Sequence, residues 1–463
     1  MIEMSLDEVA AATDGQVDAA DAHRRVRAVT TDSREVTADA LFVALRGESA
    51  DGHDHIDAAL AAGATGYLTE PRGGDRIAGG VVVADTWAAI ARLAGVVRDR
   101  VDPTVVAVTG SVGKTTTKDL TAAALRAGLR TVAARGSYNN ELGVPLTLLA
   151  LEQSTQVAVV EIGARGIGHI AALTPYVRPD VAVVTAVAAA HTEQFRDLDA
   201  VARAKGELVE AVGPRGAAVL NADDDRVAAM ASRTEATVLR YGWREARDVD
   251  VRAGSVALDD HARASFVAHT PWGDAEVRVP VAGEHHVGNA LAALTVAGHL
   301  GVDLAAATEA LRHAPVSPWR SQLTEAGGVA VLNDAYNANP TSVTAALRTL
   351  VELSRRRGGR AIAVLGQMAE LGAVSRGAHE QVGREASELG VDRLVIVSGG
   401  DADAVASGAG ALAETVADAD AALAAIVGAV RPGDVVLAKA SRVAGLERVA
   451  EGLLTHLGAE PGA

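Results

Sequence analysis

The fold of this chain follows from one stretch, residues 105–117, which reads Val-Val-Ala-Val-Thr-Gly-Ser-Val-Gly-Lys-Thr-Thr-Thr. Its first four residues are apolar and mostly β-branched, which is typical of a buried strand in a parallel sheet. Gly110 and Gly113 then predict a turn, and a helix is predicted from Lys118 to Leu129. A strand, a glycine turn and a helix in this order form a cradle for a phosphate. The sequence therefore predicts a nucleotide-binding α/β unit around this stretch.

The chemistry of the turn supports phosphate binding. Because glycine has no Cβ, backbone N–H groups at Gly110 and Gly113 can approach an anion, and Lys114 supplies positive charge for the terminal phosphates. The hydroxyl of Thr115 is placed to hold Mg²⁺. The full P-loop pattern has one more glycine at a position where this chain has Val108, so an ordinary strand–helix turn is the alternative.

Composition narrows the class of protein. A chain of 463 residues corresponds to about three domains at roughly 150 residues each. Hydrophobic residues make up 49% and aromatic residues 3%, so we expect several cores built from Ala, Val and Leu. The net charge of −16 argues against nucleic acid or an anionic membrane as partner. Cysteine, a membrane-spanning apolar run and a targeting segment at Met1–Ser5 are all missing, so we expect a soluble cytoplasmic protein without membrane insertion.

Two scarce residue types mark candidate positions. Lysine occurs at only four positions: Lys114, Lys118, Lys205 and Lys439. Arginine is abundant but always protonated, whereas lysine can become a neutral amine, so we expect lysine where arginine cannot serve. Asparagine forms two tight clusters: Asn139 with Asn140, and Asn333 with Asn337 and Asn339. Chance in an Ala- and Arg-rich chain is the alternative explanation for any one of these residues.

Three units are predicted along the chain. Residues 1–100 form a smaller N-terminal α/β unit, residues 101–310 a central unit with a mainly parallel sheet and helices on both faces, and residues 311–463 a C-terminal Rossmann-like α/β unit. The predicted strands are Ala28–Thr31, Leu41–Leu45, Val81–Ala84, Val105–Thr109, Val157–Glu161, Val181–Thr185, Ala217–Leu220, Val329–Leu332, Ala361–Leu365, Leu394–Val397 and Val435–Leu437. A small antiparallel excursion is predicted over residues 242–281.

Two helix starts have clear signals. Ser5 and Glu8 form a capping box, in which each side chain bonds to the backbone N–H of the other residue. Pro340 follows Asn339 and fits the first turn of a helix.

Polar residues stand where predicted strands of the central unit end, and ligands gather at the carboxyl ends of parallel strands. Glu161 closes a fully apolar strand, where a carboxylate is costly without a cation or hydrogen-bond donors. Asn221 closes another strand. His191 lies in a loop beside Glu193 and is as compatible with a structural role as with a ligand or catalytic role.

Two further candidates stay open on the sequence. Lys205 lies on a helix predicted from Leu198 to Val212, and a surface lysine paired with Glu207 or Glu210 is the alternative. The polar run Thr31–Arg34 follows a predicted strand, which suits ligand contact and an exposed loop equally.

Together these motifs resemble the Mur ligase family over nearly the whole chain. The turn at Thr109–Thr115 is similar to the shortened phosphate loop of that family, which explains the missing early glycine. Further blocks resemble family motifs in family order: Asn139–Pro145, Glu161–Gly163, His191–Glu193, Ala204–Glu207 and Leu220–Asp224. Other stretches are similar to the branch of the family that adds D-alanyl-D-alanine: Asp334–Pro340, Leu365–Gly372, Thr31–Arg34 and Leu45–Glu48.

The resemblance implies an ATP-dependent amide ligase of cell-wall synthesis. ATP would phosphorylate the terminal carboxylate of UDP-N-acetylmuramoyl-tripeptide, and the amine of D-alanyl-D-alanine would attack the acyl phosphate. A tetrahedral intermediate would then give the amide, ADP and phosphate. Such phosphoryl transfer depends on positioning and cations more than on a side-chain nucleophile. Closure of the C-terminal unit would exclude water from the acyl phosphate.

The resemblance also assigns roles to individual residues. The implied catalytic residues are Lys114, Glu161, His191 and Lys205. Two Mg²⁺ ions are implied, one held by Thr115 and Glu161 and a second by His191 and by Lys205 as a carbamate. The implied ATP-binding residues are Thr109, Gly110, Ser111, Val112, Gly113, Lys114, Thr115, Thr116, Asn289, Arg320 and Asp334. The implied substrate-binding residues are Ser33, Arg34, Arg46, Asn139, Asn140, Tyr336, Asn337 and Asn339, with Ser33 and Arg34 at the uridine diphosphate end. The block Lys439–Arg442 is expected near the dipeptide.

Two departures from the family pattern bear on these roles. His286 stands where the family often has asparagine, and Trp319 replaces the glycine of a Pro-Gly-Arg motif while Arg320 is kept. The alternatives are therefore a related ligase that joins a different carboxylate and amine, and a nucleotide-binding switch without ligase turnover. We expect a monomer that binds small-molecule substrates.

Overall fold

The computed structural model describes residues 1–47, 50–71, 78–189, 195, 197–244 and 248–459, and their strands form four sheets. The strands are β1 (Met4–Ser5), β2 (Gln16–Val17), β3 (Arg25–Val26), β4 (Ala28–Thr30), β5 (Ala40–Val43), β6 (Gly66–Thr69), β7 (Gly80–Val82), β8 (Thr104–Thr109), β9 (Thr131–Ala133), β10 (Val157–Glu161), β11 (Val181–Val184), β12 (Ala217–Asn221), β13 (Thr237–Gly242), β14 (Val251–Ala253), β15 (Ala257–Leu258), β16 (Arg263–Thr270), β17 (Gly273–Ala282), β18 (Gln322–Ala326), β19 (Val329–Asn333), β20 (Ala361–Leu365), β21 (Arg393–Val397), β22 (Ala413–Val416) and β23 (Val435–Lys439). The helices are α1 (Leu6–Thr13), α2 (Ile56–Ala61), α3 (Thr86–Val101), α4 (Lys114–Arg126), α5 (Gly143–Leu149), α6 (His169–Val177), α7 (Leu198–Glu210), α8 (Asp225–Ala228), α9 (His286–His299), α10 (Leu304–Arg312), α11 (Pro340–Arg357), α12 (Ser375–Leu389), α13 (Ala404–Ala409), α14 (Ala419–Val427) and α15 (Glu447–His456).

The central sheet carries helices on both faces, as predicted. Its parallel part has the strand order β9-β10-β8-β11-β12-β13-β14. Successive side chains of a strand point to opposite faces, so Val105 and Ala107 of β8 enter a core with α3, α5, α6 and α7. Val106 and Val108 enter a second core with α4, α9 and α10 on the other face. The apolar run that opens the phosphate turn is therefore buried on both sides, as a central parallel strand requires.

The register of the central strands brings the polar strand ends together. β8 lies between β10 and β11, and Glu161 pairs with Val108 while Val184 pairs with Thr109. The glycine turn after β8 therefore begins beside Glu161 on one neighbouring strand and beside residue Thr185 on the other. This edge of the sheet positions the candidate site.

The antiparallel excursion is confirmed. β16 and β17 form a hairpin, and β14 and β15 each pair antiparallel with β16. The hairpin extends the central sheet on the side away from β9.

The C-terminal sheet has the order β18-β19-β23-β20-β21-β22, in which β18 is antiparallel and the other strands are parallel. Ala330 and Leu332 face α11 and α12, whereas Val329 and Val331 face α14 and α15. A doubly covered parallel sheet is the Rossmann-like arrangement that the sequence predicts.

The N-terminal sheet has the order β2-β7-β6-β5-β4, parallel except for β2. The capping box at the start of α1 is confirmed, since the Ser5 hydroxyl accepts from the Glu8 N–H and Glu8 accepts from the Ser5 N–H. Apolar residues of this sheet and of α3 join one face of the central sheet in a continuous core. Within the described residues, no helix has the length and hydropathy needed to cross a bilayer.

Several predicted bounds need correction. Helix α4 begins at Lys114, four residues before the predicted start at Lys118, because the residues after Gly113 already take helical backbone. Strands without strong patterns were not predicted: β1, β2, β3, β6, β9, β13, β18 and β22. Such strands gain their pairing from neighbours in the sheet rather than from a long apolar run of their own.

Candidate active site

A cleft of about 800 Å³ opens between the carboxyl edge of the central sheet and C-terminal residues that include Arg320, Asp334 and Lys439. Most predicted site residues line it: Ser111, Val112, Gly113, Lys114, Thr115, Thr116, Asn139, Asn140, Glu161, Lys205, Asn289, Arg320, Asp334, Tyr336, Asn337 and Asn339. The fold therefore brings together residues that are more than two hundred positions apart in the chain.

The glycine turn has a backbone that requires glycine at two positions. Gly110 has φ +148° and Gly113 has φ +81°. A Cβ on Gly110 would lie 2.0 Å from Thr185 Oγ1, and a Cβ on Gly113 would lie 2.7 Å from Asn289 Oδ1. The Lys114 ammonium folds back over the turn and donates to the Gly110 carbonyl at 2.8 Å. Neither glycine can be replaced without moving a wall of the cleft.

Two buried polar atoms of the cleft lack partners within the described part of the chain: Ser111 Oγ and Arg320 Nε. Burial also lowers the pKa of Lys114, which the nearby charge of Arg320 lowers further while Glu161 raises it. Unsatisfied donors and a desolvated cation around one turn fit an anionic ligand such as a polyphosphate.

Glu161 is only 1% exposed, and donors surround its carboxylate. Thr115 Oγ1 donates to Oε2 at 2.7 Å, and Asn139 Nδ2 donates to Oε1 at 2.7 Å. Among the described residues no cation forms an ion pair with this carboxylate. A buried anion beside a hydroxyl oxygen is the hard oxygen ligand set that Mg²⁺ prefers, so these residues fit the ion.

Lys205 lines the same cleft and is 2% exposed, so the alternative of a surface lysine is wrong. Burial lowers its pKa well below the usual value, and the charge of Lys114 lowers it further, while Glu207 and Glu161 raise it. The Glu207 carboxylate accepts from the Gly168 and Ala171 N–H groups, at 2.6 and 2.9 Å, and so caps the start of α6. His191 and its neighbour Glu193 lie outside the described residues.

The C-terminal wall is built on Asp334 and Lys439. The Lys439 ammonium donates to Asp334 Oδ2 at 2.6 Å and to the Asn337 carbonyl at 3.0 Å. Asp334 Oδ1 accepts from the Ser321 N–H at 3.1 Å. The buried Lys439 cation therefore holds the loop after β19 in place.

Two cation–π contacts that the sequence did not predict involve residues of the cleft wall. The Arg320 guanidinium lies 4.1 Å from the centroid of the Tyr336 ring, and the Arg442 guanidinium lies 4.1 Å from that of Trp319. Trp319 has φ +59°, in the left-handed backbone region that glycine adopts far more often than bulky residues do. The Tyr336 hydroxyl also contacts the hydroxyl of Ser137 on the central unit. In an aromatic-poor chain, two aromatic residues in adjacent motifs were the available signal.

The departure at His286 has a local structural explanation. His286 Nδ1 accepts from Asn289 Nδ2 at 3.0 Å, and its Nε2 lies 3.3 Å from Ser321 Oγ. Asn289 Oδ1 accepts from Thr117 Oγ1 at 3.1 Å. Burial lowers the pKa of His286 well below its usual value, so the ring is neutral and can accept the amide N–H. His286 thus fixes the orientation of Asn289.

Some predicted residues lie elsewhere or have a structural use. The cleft wall begins after Thr109 and Gly110, and the Thr109 hydroxyl donates to the Ile162 carbonyl. The Asn140 side chain caps the start of α5, and the Asn339 side chain caps α11.

The N-terminal candidates do not line the cleft: Arg34 and Arg46 are exposed and Ser33 is half-buried. Arg34 is 87% exposed and pairs with Asp32, while Ser33 lies in the same short turn. Arg46 lies 3.4 Å from Asp51 Oδ2. Their predicted contact with the uridine diphosphate end stays a prediction.

Comparison with known proteins shows which family this chain is similar to. Three family descriptions match: Mur ligase family, catalytic domain, over residues 25–97; Mur ligase middle domain over 108–297; and Mur ligase, glutamate ligase domain, over 319–442. The UDP-N-acetylmuramoyl-tripeptide–D-alanyl-D-alanine ligase of Mycobacterium tuberculosis is 42% identical over 98% of this chain and 98% of its own length.

Solved structures are similar over the full chain. MurF from Acinetobacter baumannii has a TM-score of 0.87 and 32% identity, over 98% of this chain and 99% of its own. MurF ligase from Thermotoga maritima in complex with ADP has a TM-score of 0.81 and 28% identity, over 93% of this chain and 98% of its own.

Proposed function

The chain belongs to the Mur ligase family, and from this premise we propose that it adds D-alanyl-D-alanine to UDP-N-acetylmuramoyl-tripeptide at the expense of ATP, in peptidoglycan precursor synthesis. The observation that carries the proposal is the cleft itself. It holds an unsatisfied phosphate turn, a buried carboxylate and a buried amine within one wall, faced by the C-terminal unit. Full-length similarity to enzymes of that activity supports the choice of substrates.

The residues of the cleft suit a phosphoryl transfer followed by an acyl transfer. The terminal carboxylate of the tripeptide attacks the γ-phosphorus of ATP, and ADP leaves. The D-alanyl-D-alanine amine then attacks the acyl carbon, and the tetrahedral intermediate loses phosphate to give the amide. Lys114, Ser111 and Arg320 provide donors for the phosphate oxygens, and their positioning supplies most of the rate acceleration.

Thr115 and Glu161 would hold one Mg²⁺, and His191 and Lys205 would serve a second. Bound Mg²⁺ neutralises the negative charge of the phosphates. The Asn139 amide, which holds Glu161 Oε1, keeps the carboxylate oriented toward Thr115.

Lys205 would act as a carbamate. Its neutral amine attacks the carbon of CO₂, an N–C bond forms, and one proton passes to solvent, which leaves an anionic oxygen ligand. Burial and the charge of Lys114 both lower the pKa of this amine, so the reactive neutral form is accessible. Arginine cannot follow this route, which agrees with the scarcity of lysine elsewhere.

The remaining assignments keep their predicted roles. Asn289, Arg320 and Asp334 would grip the nucleotide across the boundary between the central and C-terminal units, which we place near residue 310, with the first boundary near residue 100. Tyr336 and the asparagine-rich loops would contact the peptide, and Ser33, Arg34 and Arg46 the uridine diphosphate end. We propose a cytoplasmic monomer.

Incubation with UDP-N-acetylmuramoyl-tripeptide, D-alanyl-D-alanine and Mg–ATP tests the proposal. We expect phosphate release that depends on both substrates, together with a product heavier by the dipeptide less one water. No phosphate above background would refute the activity. ATP binding without acceptor-stimulated turnover would favour a switch, and turnover with another carboxylate and amine would favour a related ligase.

A further inference from the structure

Lys118 is a buried lysine that the reaction does not use. It lies one turn after Lys114 on α4 and is 2% exposed. Its ammonium donates to the carbonyl of Ala134 at 2.8 Å and to that of Gly136 at 2.9 Å, and it lies 2.5 Å from Asp119 Oδ1. Two of its N–H donors are therefore used by backbone carbonyls, and the neighbouring carboxylate forms an ion pair with its charge.

The geometry explains why lysine stands here in an arginine-rich chain. A compact ammonium can donate to two carbonyls beside a carboxylate that pairs with its charge, whereas the planar guanidinium directs its donors in a fork. The Asp119 carboxylate compensates the buried charge, and its second oxygen accepts from the Ser317 N–H at 2.8 Å. Lys118 is therefore a buried cation whose charge is paired and whose ammonium binds two backbone carbonyls.

The loop that Lys118 holds contains Asn139, and Asn139 contacts the proposed metal ligand Glu161. Three residues after Gly136, Asn139 donates its side-chain amide to Glu161 Oε1 at 2.7 Å, and its carbonyl accepts from the Gly163 N–H at 2.8 Å. In the same loop the Ser137 hydroxyl contacts that of Tyr336. A loop released from Lys118 would no longer hold the Asn139 amide against this carboxylate.

We propose that Lys118 is a positioning residue: through the loop at residues 134–139 and the Asn139 amide, it sets the orientation of the Glu161 carboxylate. The inference rests on the proposed function, because it assumes that Glu161 holds the catalytic Mg²⁺. A displacement of about 1 Å in a catalytic group can cost about 100-fold in rate. Lys118 thus acts on the chemical step without touching ATP, peptide or metal.

The loop on the opposite wall is fastened in the same way. Lys439 donates to the Asp334 carboxylate, to the Asn337 carbonyl at 3.0 Å and to the Asp334 carbonyl at 3.4 Å. Both asparagine-rich loops of the cleft therefore lie on a buried ammonium that binds backbone carbonyls and pairs with a carboxylate.

A double-mutant cycle on the full-length enzyme tests the inference, with Lys118→Met, Asn139→Ala and both together. We expect Lys118→Met to lower kcat by about 10–100-fold and to raise the Mg²⁺ concentration for half-maximal rate, while ATP binding by calorimetry changes less than about threefold. If Lys118 acts through Asn139, the double variant should be no slower than Asn139→Ala. Multiplicative losses in the double variant would overturn the proposal.

Controls separate positioning from folding and from the proposed function. Arg126→Met, at the exposed end of the same helix, should keep the wild-type kcat and Mg²⁺ dependence. Lys118→Gln retains two donors for the carbonyls of Ala134 and Gly136, so it should recover part of the rate that Lys118→Met loses. Wild-type kcat and Mg²⁺ dependence in a folded Lys118→Met enzyme would contradict the inference; if Lys118→Met does not fold, multiplicative losses when Lys118→Gln is combined with Asn139→Ala would contradict it. An inactive wild-type enzyme would count against the proposed function instead.

Discussion

The surroundings of Lys118 and of Lys205 differ sharply although both side chains are 2% exposed and lie near one cleft. Lys118 donates to two backbone carbonyls and pairs with a carboxylate that balances its charge. Lys205 has no ion pair among the described residues, and burial lowers its pKa. Burial by itself therefore says little about a lysine: a satisfied ammonium holds structure, whereas an unsatisfied amine is available for chemistry.

The largest effect is expected at Lys205. Replacement by alanine should lower kcat by about 100- to 1000-fold, because the proposed carbamate ligand could no longer form, while ATP binding by calorimetry is retained. Lys205→Arg should be as slow, since arginine forms no carbamate, and small carboxylic acids should partly restore the alanine variant. A fully active Lys205→Ala enzyme would remove the contrast between the two lysines.

For stability we expect the opposite order: replacing Lys118 should lower the free energy of unfolding more than replacing Lys205. Lys118→Met leaves two carbonyls without their donor and the Asp119 carboxylate without its paired charge, so the free energy of unfolding should fall by about 3 kcal/mol. Lys205→Met should change it by less than about 1 kcal/mol in CO₂-free buffer, because no ion pair is lost among the described residues. Chemical denaturation of both variants measures the difference; equal losses would mean that Lys205 is also a structural cation.

A variant of Lys114 tests whether the glycine turn binds phosphate. Lys114→Ala removes a charged donor next to the unpartnered Ser111 hydroxyl, and we expect the Kd for ATP to rise about 10- to 100-fold. Calorimetry with a non-hydrolysable analogue of ATP measures this Kd directly. Unchanged nucleotide affinity would show that the turn does not hold phosphate.

The smallest effect concerns pH. Burial lowers the pKa of His285 to about 4, with Asp334 raising it and Lys439 and Arg244 lowering it. Between about pH 6.5 and 4 the unfolded chain binds more protons than the folded one, so stability falls as pH falls through this range. We expect a loss of about 1–2 kcal/mol from this partly exposed ring, measured by denaturation at both pH values. His285→Asn should flatten the slope and the exposed His23→Asn should not; an unchanged slope in His285→Asn would place the effect elsewhere.

The sequence predicts the central elements well because their signals are local. Val157–Glu161 is a fully apolar run that ends in a carboxylate, and the observed strand has the same bounds. β9 was not predicted because its three residues owe their extended form to pairing with β10. The start of α11 could be predicted from Asn339-Pro340 alone, since cap and first-turn proline are adjacent in sequence.

The site is predictable only where residue type carries the chemistry. Scarcity pointed to Lys205 and Lys439 beside Lys114, but it did not point to Lys118, because the acceptors of Lys118 are backbone carbonyls 16 and 18 residues away that have no side-chain signature. The donors around Glu161 come from 46 and 22 residues away and meet only through the parallel register. The contact between Trp319 and Arg442 was not predicted either, since it joins two residues that are far apart in the sequence of the C-terminal unit.

The central claim is that ATP energises the peptide carboxylate in the cleft that Glu161 and Lys205 line. Oxygen-18 in both oxygens of the terminal carboxylate of UDP-N-acetylmuramoyl-tripeptide tests it most directly, with mass analysis of the phosphate released during D-alanyl-D-alanine addition. An acyl phosphate requires one labelled oxygen in that phosphate and one in the new amide. Phosphate without the label, released at the rate of amide formation, would contradict the account.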